Sequence, residues 1–392
     1  MTGLPAKREI ADYLRRRFGR RHCVLTNRGT TALAAALHAL DRPAGASALF
    51  PAVLCSIPVF AARFAGWRPA FADVNLSDAN FDLDDVARAL AGGGGQVGAV
   101  VPVHMFGKVD DVERLDRMAR DAGAVLIEDV ALSLGAERGG RPAGSFGRLS
   151  CFSFVRKMIP LEMGGAVMTD DPELARRAAA WVDARPPLRP GTGGETAAAL
   201  RAFHALTGYV ATGDWDRRAL LDGFEGEFRR LFLARTDDAD WDAATAIAEL
   251  ETLDTVLRAR RARAEVYDTA LHHPRILPFD RSGSALFAYP VRLDGWAAED
   301  VLDFASKQGY TFRRIAYPDI HPVFGARRPM PHAAVLEREL IGMPLDDDRP
   351  VSDFWEYASD FEKTLKAYES AAPGRAPVDV RGRLEMRMGG LS

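Results

Sequence analysis

The chain has 392 residues, 47% hydrophobic and 27% charged, and 51 basic side chains nearly balance 54 acidic ones for a formal net charge of −3. That length suits about two to three domains, and the near-neutral balance excludes the basic excess of a dedicated nucleic-acid or anionic-membrane binder. Cys23, Cys55 and Cys151 have no metal-ligand spacing, so neither a disulfide framework nor a bound metal is expected. No apolar run approaches the roughly 18 residues that cross a bilayer, and residues 1–21 are charged throughout, unlike a signal peptide; the expected location is the cytoplasm.

In chain order, residues 7–17 carry a helical stripe of Ile10, Tyr13 and Leu14 that continues to Phe18. Residues 22–25 read as a strand, and 30–40 are apolar on almost every side, as in a helix buried within the protein. Strands are expected at 49–53, 69–74, 98–103 and 124–127, with helices at 83–90 and 109–121 between them. Short apolar strands alternating with helices predict an α/β fold with a parallel sheet covered on both faces. Residues 93–98 (GGGQVG) match a dinucleotide-loop spacing but leave a helix and enter a strand, the reverse of the required order, so they read as a turn. The Pro- and Gly-rich run 185–196 reads as loop. Beyond it, 242–271 reads as one long helix, 287–293 as a strand, and 298–309 and 352–371 as helices. The expected division is a large domain over 1–235, a smaller α+β domain over 236–372 and an irregular tail over 373–392.

Three motifs carry chemistry. In Asn27-Arg28-Gly29-Thr30-Thr31-Ala32-Leu33 a strand ends, a turn follows and a helix begins. The unpaired amides of such a helix start can hold a phosphate, although Thr30 could equally cap the helix. Glu128-Asp129 lies at the carboxyl end of a strand, where α/β proteins place ligands; an acid there could serve a metal, a ribose, a protonated ring nitrogen or the next helix. Lys157, the only lysine between Lys108 and Lys307, follows the apolar Phe152-Ser153-Phe154. A desolvated lysine becomes a nucleophile for Schiff-base formation, and an exposed lysine is the plain alternative. No G-x-S-x-G elbow surrounds Ser145 or Ser153, which removes the hydrolase reading. A phosphate cup, an acid and a lysine in that order are what pyridoxal 5'-phosphate requires for its phosphate, ring nitrogen and aldehyde.

The stretches VVPVHMFGK, VLIEDVALSLGAERGGRPAGSFG and LSCFSFVRKMIPLEMGGAVMTDD resemble the core of the DegT/DnrJ/StrS family, sugar-aminotransferase-like enzymes of pyridoxal-phosphate fold type I. NRGTTAL resembles its phosphate cup, LETLDTVLRARRARAEVYDTAL its interdomain helix and GMPLDDD part of its C-terminal domain, so the resemblance is colinear over roughly 5–370. It implies that Lys157 carries the cofactor, that Asp129 faces the ring nitrogen, and that Gly29, Thr30 and Ser153 hold the phosphate. It also implies a homodimer with the site at the interface, and an amino donor (L-glutamate is expected) with a keto-sugar or keto-cyclitol acceptor. Arg313 and His321 align with a segment near the substrate, with surface structure as the alternative.

This chain departs from the family in several places. Leu132 stands where a Gln or His usually meets the cofactor's ring oxygen, and Cys55 where many members place an aromatic ring over the cofactor. The Phe-Ser-Phe to lysine spacing is one residue shorter than usual. The acidic run Thr236-Asp237-Asp238-Ala239-Asp240 replaces a segment that normally reaches the partner's phosphate, and 185–235 matches poorly. The leading expectation is a ping-pong aminotransferase. The alternatives are an enzyme of the same family that eliminates, dehydrates or rearranges its substrate, and a non-catalytic descendant that senses or scaffolds.

Overall fold

The computed structural model describes residues 5–43, 45–92, 97–155, 158–189, 191–212, 216–312, 320–326, 328–345 and 349–371. The readings placed on Lys157, Arg313 and the tail 373–392 lie outside these residues. Strands β1 (His22–Thr26), β2 (Ser47–Pro51), β3 (Arg68–Ala72), β4 (Val97–Val100) and β5 (Val125–Asp129) precede a small hairpin of β6 (Glu137–Arg138) and β7 (Arg141–Pro142). With β8 (Leu149–Ser153) and β9 (Gly165–Thr169), strands β1 to β5 form one seven-stranded sheet in the order β1-β9-β8-β5-β4-β2-β3. Neighbours from β8 to β3 are parallel, and β9 runs antiparallel to both β8 and β1.

Helices α1 (Ala6–Phe18), α2 (Gly29–Ala39), α3 (Ser56–Phe64), α4 (Leu83–Gly92), α5 (Val112–Asp121) and α6 (Pro172–Asp183) cover this sheet. Successive strand residues point to opposite faces, so the strands serve two cores. Phe50, Ile127, Cys151 and Val167 pack with α2, α3 and α6, while Leu49, Leu126, Phe152 and Met168 pack with α1, α4 and α5. Burial on both sides is why these strands read as continuous apolar runs. Helix α2 is buried nearly all round, and its alanines (Ala32, Ala34, Ala35, Ala36) allow close approach to the sheet and to its neighbouring helices.

Two expectations fail. Residues 192–196 are not loop: α7 (Thr192–Thr212) begins there and packs against α8 (Arg217–Phe232) as a helical hairpin. Phe203 on α7 and Phe228 on α8 meet Phe60 of α3 edge-on at 5.1 and 4.9 Å, and this tertiary packing outweighs the weak helix propensity of Thr192-Gly193-Gly194. The single helix expected over 242–271 is broken at Thr252 into α9 (Ala243–Glu251) and α10 (Leu253–Ala270), with the Thr252 hydroxyl donating to Glu249 O at 2.7 Å. Leu250, Leu253 and Leu257 join the core of the large sheet, whereas Ala264, Val266 and Tyr267 join a third core. That third core lies on an antiparallel sheet of β10 (Ile276–Leu277), β11 (Tyr289–Leu293) and β12 (Leu340–Met343). Helices α11 (Ala298–Lys307) and α13 (Val351–Ala371) pack with α10 around it, and α12 (Pro331–Glu339) leads into β12.

Candidate active site

The carboxyl ends of β1, β5 and β8 and the start of α3 surround a cavity of about 220 Å³. Gly29, Thr30, Cys55, Asp129 and Ser153, five of the residues singled out from sequence, line it together. Leu132 lines it as well.

Helix α2 starts at this cavity. Its N-cap is Arg28, in extended conformation and without a side-chain cap bond, so Thr30 is not the helix cap. Thr30 faces the cavity, whereas Thr31 is turned away: its Oγ1 lies 2.6 Å from Asn27 Oδ1 and 2.8 Å from Phe232 O. The N-terminus of α2 sits hard against β8 and β9. A Cβ on Gly29 would lie 2.6 Å from Ser153 Cβ, and one on Gly165 would lie 2.5 Å from Arg28 C. Only glycine permits that approach, which brings helix-start amides and the Thr30 and Ser153 side chains to one wall.

At the end of β5 the two acids part company. Glu128 is fully buried on the far face, where it accepts from the amides of Gly144 (2.9 Å), Phe146 (2.7 Å) and Gly147 (2.7 Å). Asp110 N donates to His104 Nδ1 at 3.2 Å, so His104 Nε2 carries the proton and faces Glu128 Oε2 at 3.3 Å. Burial alone would push the Glu128 carboxyl up, but the bonds from His104 and these amides outweigh it and hold it below its ordinary value. Glu128 is therefore structural. Asp129, one residue on, lines the cavity and is 7% exposed, with Oδ1 accepting from Ala131 N at 2.9 Å. The same alternation explains Phe152-Ser153-Phe154: both rings enter the core against α1, and Ser153 faces the cavity.

Cys55 forms the N-cap of α3 at the cavity wall. His321 is buried with its ring 6.4 Å from that of Phe71, and does not line this cavity. Sequence reasoning missed several wall residues. Arg28 stands inside a motif already singled out, and a cation beside a candidate phosphate cup was a usable signal. Met105 and Val103 follow the apolar strand β4; Leu200 and Phe232 come from the α7–α8 hairpin, for which the sequence carried no local signal.

The donor set fits pyridoxal phosphate: glycine, hydroxyls and helix amides for the phosphate, a buried carboxylate for a protonated ring nitrogen, and apolar walls for the ring. Residues 3–184 match the DegT/DnrJ/EryC1/StrS aminotransferase family. The chain is 34% identical over 346 residues to the dTDP-3-amino-3,4,6-trideoxy-alpha-D-glucose transaminase of Micromonospora megalomicea subsp. nigra, covering 84% of this chain and 81% of that protein. It is 25% identical over 284 residues to the GDP-4-keto-6-deoxy-D-mannose 3-dehydratase of Yersinia pseudotuberculosis, covering 69% of this chain and 64% of that one. The crystal structure of DesI in the presence of its TDP-sugar product superposes with a TM-score of 0.73 at 25% identity, over 94% of this chain and 87% of that chain. With this fold, this cavity and these relatives, the chain belongs to the DegT/DnrJ/EryC1/StrS family of pyridoxal-phosphate-dependent aminotransferases.

Proposed function

We propose that the protein moves an amino group from an amino-acid donor, L-glutamate in the first instance, to a ketone on a sugar-like substrate, and that it does so as a homodimer. The observation that carries this reading is the convergence of Gly29, Thr30, Cys55, Asp129 and Ser153 on one cavity from four separate elements. When bound, pyridoxal phosphate supplies an aldehyde that exchanges amines and a ring that takes up an electron pair. Gly29, Thr30 and Ser153 seat the phosphate, and Asp129 keeps the ring nitrogen protonated by placing a buried carboxylate beside it. Lys157 would hold the cofactor through its side-chain amine and, when that amine is free, would serve as the general base of the reaction.

The visible absorption spectrum with and without L-glutamate tests this reading. A yellow protein that bleaches on adding glutamate has completed half of a transamination. Lys157→Ala is expected to lose turnover entirely, and normal turnover in that variant refutes the assignment. Leu132 favours a second reading, elimination or dehydration, because an aliphatic side chain lines the cavity where the family usually offers a hydrogen bond; the resemblance to a dehydratase points the same way. A yellow protein that ignores every amino donor supports that second reading. Among the described residues, no helix is long and apolar enough to cross a membrane.

A further inference from the structure

We propose that Arg28 supplies, from within the same chain, the positive charge facing the cofactor's phosphate, and that Phe232 of the α7–α8 hairpin holds its guanidinium there. The inference rests on the cofactor reading of the cavity and assigns a residue that this reading leaves out. A phosphate monoester carries about −1.5 to −2 charges near neutral pH, whereas a helix start offers only about half a positive charge and hydroxyls offer none. A cup made of α2, Thr30 and Ser153 alone would leave most of that charge uncompensated inside a largely apolar cavity.

Among the described wall residues the charged ones are Arg28 and Asp129. Asp129 closes β5, while Arg28 directly precedes Gly29 and Thr30 on the turn that forms the cup. The Arg28 guanidinium lies over the Phe232 ring, 5.8 Å from its centroid. Phe232 is itself fixed: its carbonyl accepts from Asn27 Nδ2 at 3.0 Å, and its ring meets Phe228 edge-on at 5.6 Å. A guanidinium is a planar fork of N–H donors that matches the geometry of a phosphate and can do so while one face lies on an aromatic ring.

The acidic run that raised the question of phosphate binding is committed elsewhere. Asp238 accepts from the amides of Ala6 (3.2 Å) and Lys7 (2.9 Å) and so caps α1, while Asp237 and Asp240 form a capping box of their own. Arg235 pairs with Asp237, and Lys7 Nζ donates to Thr236 O at 2.8 Å, so the cations of that segment are engaged with it rather than with the cavity wall. Neither the acids nor these two cations line the cavity.

The test compares two ligands that differ only in the phosphate. Apoprotein of the wild type, Arg28→Ala, Arg28→Lys and Phe232→Leu is titrated with pyridoxal phosphate and with pyridoxal, following visible absorbance and tryptophan fluorescence. Arg28→Ala is expected to weaken pyridoxal phosphate by roughly 10- to 100-fold, the worth of hydrogen bonds to a charged group, and to leave pyridoxal unchanged. Arg28→Lys keeps part of that affinity, and Phe232→Leu loses about 2- to 5-fold for the phosphorylated ligand alone. Equal loss for both ligands shows a structural role and overturns the proposal, as does unchanged affinity for both. If Arg28→Ala does not fold, the lysine and Phe232 variants decide by the same ligand ratio. A wild type that binds neither ligand removes the cofactor reading itself, whereas selective failure of the ratio removes only Arg28.

Discussion

Gly29→Ala tests the closeness of the phosphate cup, because opposing effects compete at that position. At the start of α2, alanine improves helix propensity by at most about 1 kcal/mol. Against this, the new methyl group would lie 2.6 Å from Ser153 Cβ, 3.2 Å from its Oγ and 3.3 Å from its Cα, where carbon atoms prefer about 3.5–4.0 Å. Ser153 pairs with Gly165 on β9 at the end of β8, so its backbone has little room to retreat. Overpacking of this kind costs about 1–3 kcal/mol, and the clash outweighs the propensity gain. The expected net loss is about 1–2 kcal/mol, and each kcal/mol corresponds to about 2–4 °C in the melting temperature of a domain this size. Cofactor affinity should fall as well, because Ser153 is the group displaced. Thermal melts of Gly29→Ala, Ser153→Gly and the double variant form a cycle. The double variant should cost at least about 1 kcal/mol less than the sum of the singles. A more stable Gly29→Ala protein, or strict additivity, refutes the close approach of α2 to β8.

Two further substitutions probe the buried network behind the sheet. Glu128→Gln leaves one side-chain oxygen for three amides and the His104 N–H and turns an amide donor toward them; orphaning two donors costs roughly 2–5 kcal/mol. Thermal melts should register this without a change in the pyridoxal to pyridoxal-phosphate affinity ratio, since Glu128 faces away from the cavity, and a loss below about 1 kcal/mol contradicts the assigned geometry. Asp110 is pushed up to about 7 by burial, against the pull of the Phe81 amide, from an ordinary value of 3.8. The folded chain therefore holds a proton that the unfolded chain has lost, so this group makes stability fall as pH rises between about 4 and about 7. Asp110→Asn should flatten that slope in melts at pH 5 and pH 8, and an unchanged slope excludes Asp110 as its source.

The helix–strand alternation of the first half was readable because it is local: a strand buried on both faces must be apolar throughout, and α2 must be apolar all round. The motif containing Gly29 and Thr30 and the acidic pair at the end of β5 were likewise readable, since parallel strands put ligands at their carboxyl ends. Which acid faces the cavity could be read only through the family resemblance, which points to Asp129; the residues alone leave it open, because it depends on which face of the sheet the cavity occupies. The break at Thr252 and the helix beginning at Thr192 also escaped; packing against distant side chains decides both, and local propensity argued otherwise. The acidic run over 237–240 stands where the family places a segment that reaches the partner's phosphate, and only the fold shows that Asp238 instead caps α1, more than 230 residues away in sequence. Arg28 and Phe232 show the same division. Arg28 stood beside the cup in the sequence, but its aromatic partner lies on a hairpin whose carbonyl meets Asn27 across 205 residues of chain. Periodicity reports only what a segment does with its own two faces, whereas the wall of a cavity is assembled from segments that meet after folding.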